Sequence, residues 1–308
     1  MKDCFLLGYH GLGNIGDDLM AKSFLIEKKS FYNKIYTGKL LYPFQGVKSL
    51  NGLRKLIYMF LADDLVTTGG NIFSYERKKS IFKIIFIYML FLFRKKIGKT
   101  NIIDSIGLDL EIDKRLRKII IKTFLLADHI SLRDNFSYRY LRYCFFYLKI
   151  EKNITMQPDR VIRSKTALLK QYNTYLKCSE KEFFIWFISQ PAAKKNKYSL
   201  QITKDFIINN NIFKKTQKGI LFCQGNEDIL RANQIRQILE PNIKCDIINY
   251  SCNEDIENLL SILPCSKFVV TERYHGALLA EIYEKSWYKL PFTEKLDRVS
   301  PSIFLKSN

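Results

Sequence analysis

Short apolar runs alternate with longer stretches of helical period along almost the whole chain. In the first half, strands are predicted at residues 4–9, 64–68, 101–106 and 129–132. Helices are predicted at 18–28, 78–96, 114–127 and 135–147. Asp17 and Asp134 stand where helix N-caps belong. The pattern breaks near Met156-Gln157-Pro158-Asp159, and residues 165–180 read as a polar, helix-like connector. It then resumes, with strands at 183–189, 219–224, 245–248, 268–271 and 287–290. Helices follow at 198–210, 228–239, 253–263 and 276–283. Apolar strands alternating with helices predict parallel sheets covered on both faces. The expectation is two Rossmann-like α/β domains, residues 1–165 and 166–308, facing each other across a cleft.

One stretch complicates this picture. Residues 81–93 are apolar except for Lys83 and are followed by Arg94-Lys95-Lys96 and Lys99. Thirteen residues are too few for a spanning helix, which needs about 20. The segment reads as a buried helix between two strands, or as a helix lying on a membrane surface.

Charge sharpens the question of partners. The 308 residues hold 50 Lys and Arg against 30 Asp and Glu, a net charge of +20. Residues 1–150 carry 26 against 13, and residues 151–308 carry 24 against 17. The surplus favours an anionic partner and sits mostly in the first half. No helix-turn-helix, zinc or RNA-recognition signature accompanies it, so no nucleic-acid partner is expected. The seven cysteines are scattered without a C-x-x-C pair, which predicts free thiols and no disulfide framework. Met1-Lys2-Asp3 and a short apolar run do not make a secretory signal, so a cytoplasmic protein is expected. No metal-ligand cluster is visible, and no metal or cofactor is expected.

Four segments at strand ends carry candidate chemistry. Gly8-Tyr9-His10-Gly11-Leu12-Gly13-Asn14-Ile15-Gly16-Asp17-Asp18 turns the first strand into the first helix. Its glycines permit close backbone approach, but Asp17 and Asp18 would repel a pyrophosphate, so the loop is expected to bind hydroxyls. Thr67-Thr68-Gly69-Gly70-Asn71 forms a second loop at the same sheet edge. Ser131-Leu132-Arg133-Asp134 reads as structural, with Asp134 as cap and Arg133 in an ion pair. Thr271-Glu272-Arg273-Tyr274-His275-Gly276 joins a strand to a helix: Arg273 suits a carboxylate or phosphate, and His275 suits proton transfer. His129, within a strand, is expected in the core.

Together these segments resemble the polysaccharide pyruvyl transferase family. Gly8 to Asp18 resembles the family's opening glycine-rich pattern, and Thr68-Gly69-Gly70-Asn71-Ile72-Phe73 its second glycine-rich strand end. Ser131 to Ser137 and Pro158-Asp159 resemble its middle motifs. Arg273-Tyr274-His275-Gly276, followed by Pro291 and Lys295, resembles its C-terminal signature. The resemblance implies a GT-B-like fold and transfer of a pyruvyl group from phosphoenolpyruvate to two hydroxyls of a sugar, forming a ketal. The sugar would belong to a cell-surface polysaccharide, such as an exopolysaccharide, or to its lipid-linked precursor. It implies His275 as the catalytic residue and Arg273, Gly276, Lys295 and Gln190 on the donor side. Gln190 stands where the family often has an Arg. Gly13, Asn14, Gly16, Asp17, Gly69, Gly70 and Asn71 fall on the acceptor side, in the basic N-terminal domain. A lipid-linked acceptor would bring the protein to the inner face of an anionic membrane. The alternative is a nucleotide-sugar-dependent glycosyltransferase of the same fold.

Overall fold

The apolar runs become strands because each is buried on both sides. Asp64–Thr68 is buried at all five positions, and Phe183–Phe187 at the last four. The computed structural model describes residues 2–11, 13–38, 46–69, 72–73, 79–108, 114–172, 183–194, 196–240, 242–250, 253–293 and 296. Contacts divide the chain into two units, Met1–Ser164 and Lys165–Asn308.

The first unit runs β1 (Lys2–Leu7), α1 (Ile15–Lys28), β2 (Tyr32–Thr37), β3 (Val47–Ser49), α2 (Gly52–Leu61), β4 (Asp64–Thr68) and α3 (Lys79–Lys96). It continues β5 (Thr100–Ile106), α4 (Lys114–Leu126), β6 (His129–Leu132), α5 (Asn135–Tyr147), β7 (Thr155–Met156) and α6 (Arg160–Arg163). Its strands form one parallel sheet in the order β3-β2-β1-β4-β5-β6-β7. The winding goes one way from β1 to β3, then crosses back over β1 to run the other way. Right-handed crossovers therefore put α1 on one face and α2 to α5 on the other. The packing agrees. Cys4, Leu6 and Val66 face Phe24 and Leu25 of α1. Phe5, Leu65 and Ile103, one residue out of phase, face Met59, Ile87, Ile120 and Phe145 of α2 to α5.

The second unit runs α7 (Lys165–Tyr172), β8 (Phe183–Phe187), α8 (Gln190–Lys194), α9 (Ser199–Asn209), β9 (Lys218–Cys223) and α10 (Asn226–Leu239). It ends β10 (Lys244–Asn249), α11 (Asn253–Ile262), β11 (Val269–Thr271), α12 (Tyr274–Ile282) and β12 (Trp287–Lys289). Its parallel sheet has the order β10-β9-β8-β11-β12, so its winding reverses between β8 and β11. Phe184, Trp186 and Phe213 stack into its core with Phe268 and Ile235.

Several expectations need correction. Residues 8 and 9 leave the first strand, which ends at Leu7. Strands β2, β3 and β7 were not anticipated: β2 is polar over its first half, and β3 and β7 are short edge pieces. The connector is helical over Lys165–Tyr172, and residues 173–180 lie outside the described residues. His129 is exposed at the start of β6 rather than in the core, although it already pairs with Ile102 of β5. Cys265 is disulfide-bonded, whereas Cys4, Cys144, Cys223 and Cys245 are free.

Arg94 departs most from its expected place. It follows the apolar stretch of α3 but is fully buried rather than in a surface cluster. Its guanidinium donates to the carbonyls of Met59, Phe60 and Ala62, each at 3.0 Å, and to those of Asp63 at 3.2 Å and Thr100 at 2.8 Å. It also donates to Asn101 Oδ1 at 2.9 Å. These carbonyls end α2 and start β4 and β5, so one side chain satisfies three chain segments that carry buried acceptors. Burial lowers its pKa to about 10, which leaves it charged at neutral pH. Arg94→Leu is predicted to strand these acceptors and cost about 3 kcal/mol or more. Arg94→Lys should recover little of that, because one ammonium cannot span the fork. The urea midpoint of the intact chain measures both.

Candidate functional site

Where the winding of a parallel sheet reverses, the loops leaving two neighbouring strands diverge and open a crevice at their carboxyl ends. In the first unit these are the loops after β1 and β4, which are the two glycine-rich segments. In the second unit they are the loops after β8 and β11, which carry Ser189-Gln190 and Glu272 to Gly276.

In the first unit the two loops interlock. Gly11 and Gly13 adopt φ of 69° and 81°, and Gly69 adopts 101°, values that favour glycine. A Cβ on Gly69 would lie 2.9 Å from Asp17 Oδ1 and 3.3 Å from His10 Cε1, and one on Gly8 would collide with His10 Nε2. The N-cap of α1 is Asn14, not Asp17 as expected: its Oδ1 accepts from Gly16 N at 3.1 Å, and its Nδ2 donates to Asp17 Oδ2 at 2.7 Å. Asp17 lies one turn further in and is buried, as is Asp18, which accepts from Gly11 N. His10 is buried too, with Nδ1 2.8 Å from the Asp17 carbonyl. A carbonyl only accepts, so Nδ1 carries the proton and Nε2 the lone pair. His10 Nε2, Asp17 Oδ1 and the Thr67 and Thr68 hydroxyls have no hydrogen-bond partner among the described residues. Buried polar atoms are rarely left so, and acceptors gathered at a glycine-lined turn suit a hydroxyl-bearing ligand. Of the expected residues here, Gly13, Asn14, Gly16, Asp17 and Gly69 come together. Gly70 and Asn71 lie outside the described residues.

In the second unit one carboxylate organises three strand ends. Asp228, buried in the first turn of α10, accepts from Gln190 N and Gln224 N, each at 2.9 Å, and from an Nη of Arg273. Arg273 also donates through Nε to the Ile188 carbonyl at 2.5 Å. Its Nη1 makes no hydrogen bond among the described residues, and its side chain is 20% exposed, so part of the fork is open to an anion. Glu272 is buried beside it. It accepts from Ser189 N at 3.0 Å and pairs with Arg231 at 3.2 Å, and burial raises its pKa against those contacts. His275 follows on the first turn of α12, largely buried, with the Tyr274 ring edge-on at 5.3 Å. Gly276 cannot carry a side chain, because a Cβ would strike Thr271 Oγ1 and lie 2.7 Å from the Phe187 ring. Arg273, His275 and Gly276 thus share one turn, and Gln190 joins them through Asp228. Lys295 lies outside the described residues.

Sequence reasoning missed Asp228, Glu272 and Arg231. Asp228 carried a weak signal, an acid at the start of a helix after a strand; its partner Arg273 is 45 residues away. Arg133 and Asp134 play the structural parts expected of them. Asp134 accepts from Ser137 N at 2.8 Å, and Arg133 lies 3.5 Å from Asp159.

Burial lowers the pKa of His10 below its ordinary 6.5. Its folded state therefore resists protonation. The stability this gives is complete above about 6.5 and is lost as pH falls below it, by at most about 1.4 kcal/mol per pH unit. His10→Gln is predicted to flatten the urea midpoint against pH between about 6.5 and 5, relative to wild type.

Comparison with known proteins follows the same lines. No curated protein matches the chain. The UDP-GlcNAc 2-epimerase of Methanocaldococcus jannaschii is similar in structure, with a TM-score of 0.59 at 13% identity over 100% of this chain and 94% of that one. An alpha-glucosyltransferase solved with UDP and DNA gives 0.57 at 12% identity, over 94% and 79%. The S. aureus MnaA–UDP structure gives 0.57 at 13%, over 93% and 78%. At such identity these likenesses establish the fold, that of GT-B glycosyltransferases and related epimerases. The polysaccharide pyruvyl transferase profile matches residues 14–290, from the cap of α1 to the end of the last strand. The chain therefore belongs to the polysaccharide pyruvyl transferase family and is a transferase.

Proposed function

We propose that this transferase moves a pyruvyl group from phosphoenolpyruvate to two hydroxyls of one sugar, leaving a cyclic ketal and free phosphate. The observation that carries the reading is the pairing of Arg273 and His275 on one turn at the reversal point of the second sheet, with Nη1 of Arg273 uncommitted among the described residues.

The donor is small and carries a carboxylate and a phosphate. Arg273 holds one of these, with Lys295 as second cation and the Gln190 amide in place of the family's frequent Arg. His275 protonates the methylene carbon, which becomes a methyl group, and the central carbon becomes oxocarbenium-like. One sugar hydroxyl adds there and gives up its proton, phosphate leaves, and the second hydroxyl closes the ketal. The two hydroxyl protons balance the one delivered to carbon and the one carried off on hydrogen phosphate. The N-terminal loops hold the acceptor. Asp17 Oδ1 and His10 Nε2 accept from sugar hydroxyls, while the backbone at Gly13, Gly16 and Gly69 allows close approach. The sugar belongs to a cell-envelope polysaccharide or its lipid-linked precursor, which brings the protein to the inner face of the membrane. Among the described residues no helix is long and apolar enough to cross one.

A second reading is a glycosyltransferase using a nucleotide sugar. It is favoured by the UDP present in several structures of similar fold. Phosphate release from phosphoenolpyruvate separates the two. Release that requires a sugar acceptor is expected, and it should fall at least about 100-fold in His275→Ala. Arg273→Gln should act mainly by raising KM for the donor. Tight binding of UDP with no phosphoenolpyruvate turnover would favour the second reading, and unchanged turnover in His275→Ala would remove that residue from the chemistry.

A further inference from the structure

The four helices on one face of the first sheet are chemically unlike the rest of the molecule. Lys and Arg number two in α2, five each in α3 and α4 and two in α5, and the four helices contain no Asp or Glu. These helices thus take fourteen of the 26 cations in residues 1–150 and none of the 13 acids. On the opposite face α1 carries two lysines and three acids.

The same helices turn apolar stripes outward. On α3, Phe82, Ile85, Phe86, Met89 and Phe93 recur at helical spacing and are 39–77% exposed, while Ile84, Ile87, Leu90 and Phe91 on the other side are buried. On α2, Leu53, Leu56, Ile57 and Leu61 are 43–73% exposed. The two stripes adjoin, since Phe60 of α2 meets Phe93 edge-on at 5.1 Å. On α5, Tyr143 and Phe146 are 66% and 82% exposed. A soluble surface rarely shows so much contiguous apolar area. The cations are not all available. Arg94 is buried, and Lys95 and Lys99 pair with Asp128 and Asp63. Arg54, Lys96, Lys118, Lys122, Arg139 and Arg142 are exposed and carry no ion pair among the described residues.

A nucleic acid would use the cations but leave the outward Phe and Leu side chains in water. A bilayer surface uses both, apolar side chains at the acyl boundary and cations on anionic headgroups. We propose that the α2–α5 face is a docking surface that lies flat on an anionic lipid bilayer. The inference builds on the membrane-borne acceptor proposed above and names the surface and the lipid chemistry.

The test is co-sedimentation of the full chain with vesicles, without donor or acceptor, so that failure here and failure of the transfer reaction are separate results. Binding to phosphatidylcholine vesicles containing phosphatidylglycerol is expected to be at least about tenfold tighter than to phosphatidylcholine alone, and to weaken with salt. Phe82→Asp with Met89→Asp should weaken it about tenfold or more. Lys118→Glu with Lys122→Glu should do the same. Ile208→Asp, at an exposed position of α9 in the other unit, should bind as wild type, and all variants should keep the wild-type circular dichroism. Equal binding to both vesicle types, or full binding by the Phe82/Met89 variant, would overturn the proposal. So would a dimer that this variant splits, or duplex DNA binding that it leaves intact, in the absence of vesicle binding.

Discussion

The reversal of winding in each parallel sheet is the constraint on which the rest of the molecule depends. A right-handed crossover that always advanced in one direction would cover one face only. Covering both requires the chain to return past its first strand, and that return leaves two strand-end loops with no crossover between them. In the first unit this happens at β1 and β4, and in the second at β8 and β11. Every segment with candidate chemistry, apart from the structural Arg133-Asp134 pair, lies at one of these two points. The glycines follow from the same geometry. At Gly8, Gly69 and Gly276 a side chain would occupy space that the adjoining loop already fills.

The two reversal points are built differently. The first gathers acceptors, with His10 Nε2, Asp17 Oδ1 and two threonine hydroxyls buried and without a partner among the described residues. The second gathers donors around buried acids: Asp228 and Glu272 take the backbone amides of Gln190, Gln224 and Ser189, and Arg273 is fixed with part of its fork uncommitted among the described residues. Holding an arginine by a buried acid lowers the entropy lost when it meets an anion, at the cost of partial neutralisation. A hydroxyl-rich ligand suits the first arrangement and an anion the second.

Much of this was legible in the chain. The interior strand β8 reads cleanly because burial on both faces makes it continuously apolar. The glycine-rich turns and the Arg273-Tyr274-His275-Gly276 segment read well because they are local. The rest was hidden for definite reasons. Edge strands β3 and β7 are too short to show a period, and α2 turns its apolar residues outward. Arg94 and Lys96 look alike in the sequence, yet one is buried against backbone carbonyls and the other is exposed, a difference set by which helical face meets the sheet. Asp228 and Glu272 reach Gln190 and Ser189, 38 and 83 residues away, which no local spacing reveals.

The central claim is that the turn bearing Arg273 and His275 receives a small anionic donor. A crystal structure of the protein soaked with phosphoenolpyruvate tests it most directly. The account predicts ligand density with a carboxylate or phosphate oxygen on Nη1 of Arg273 and the methylene carbon beside the His275 ring. A nucleotide bound at that turn, with phosphoenolpyruvate absent from it at saturating concentration, would contradict the account.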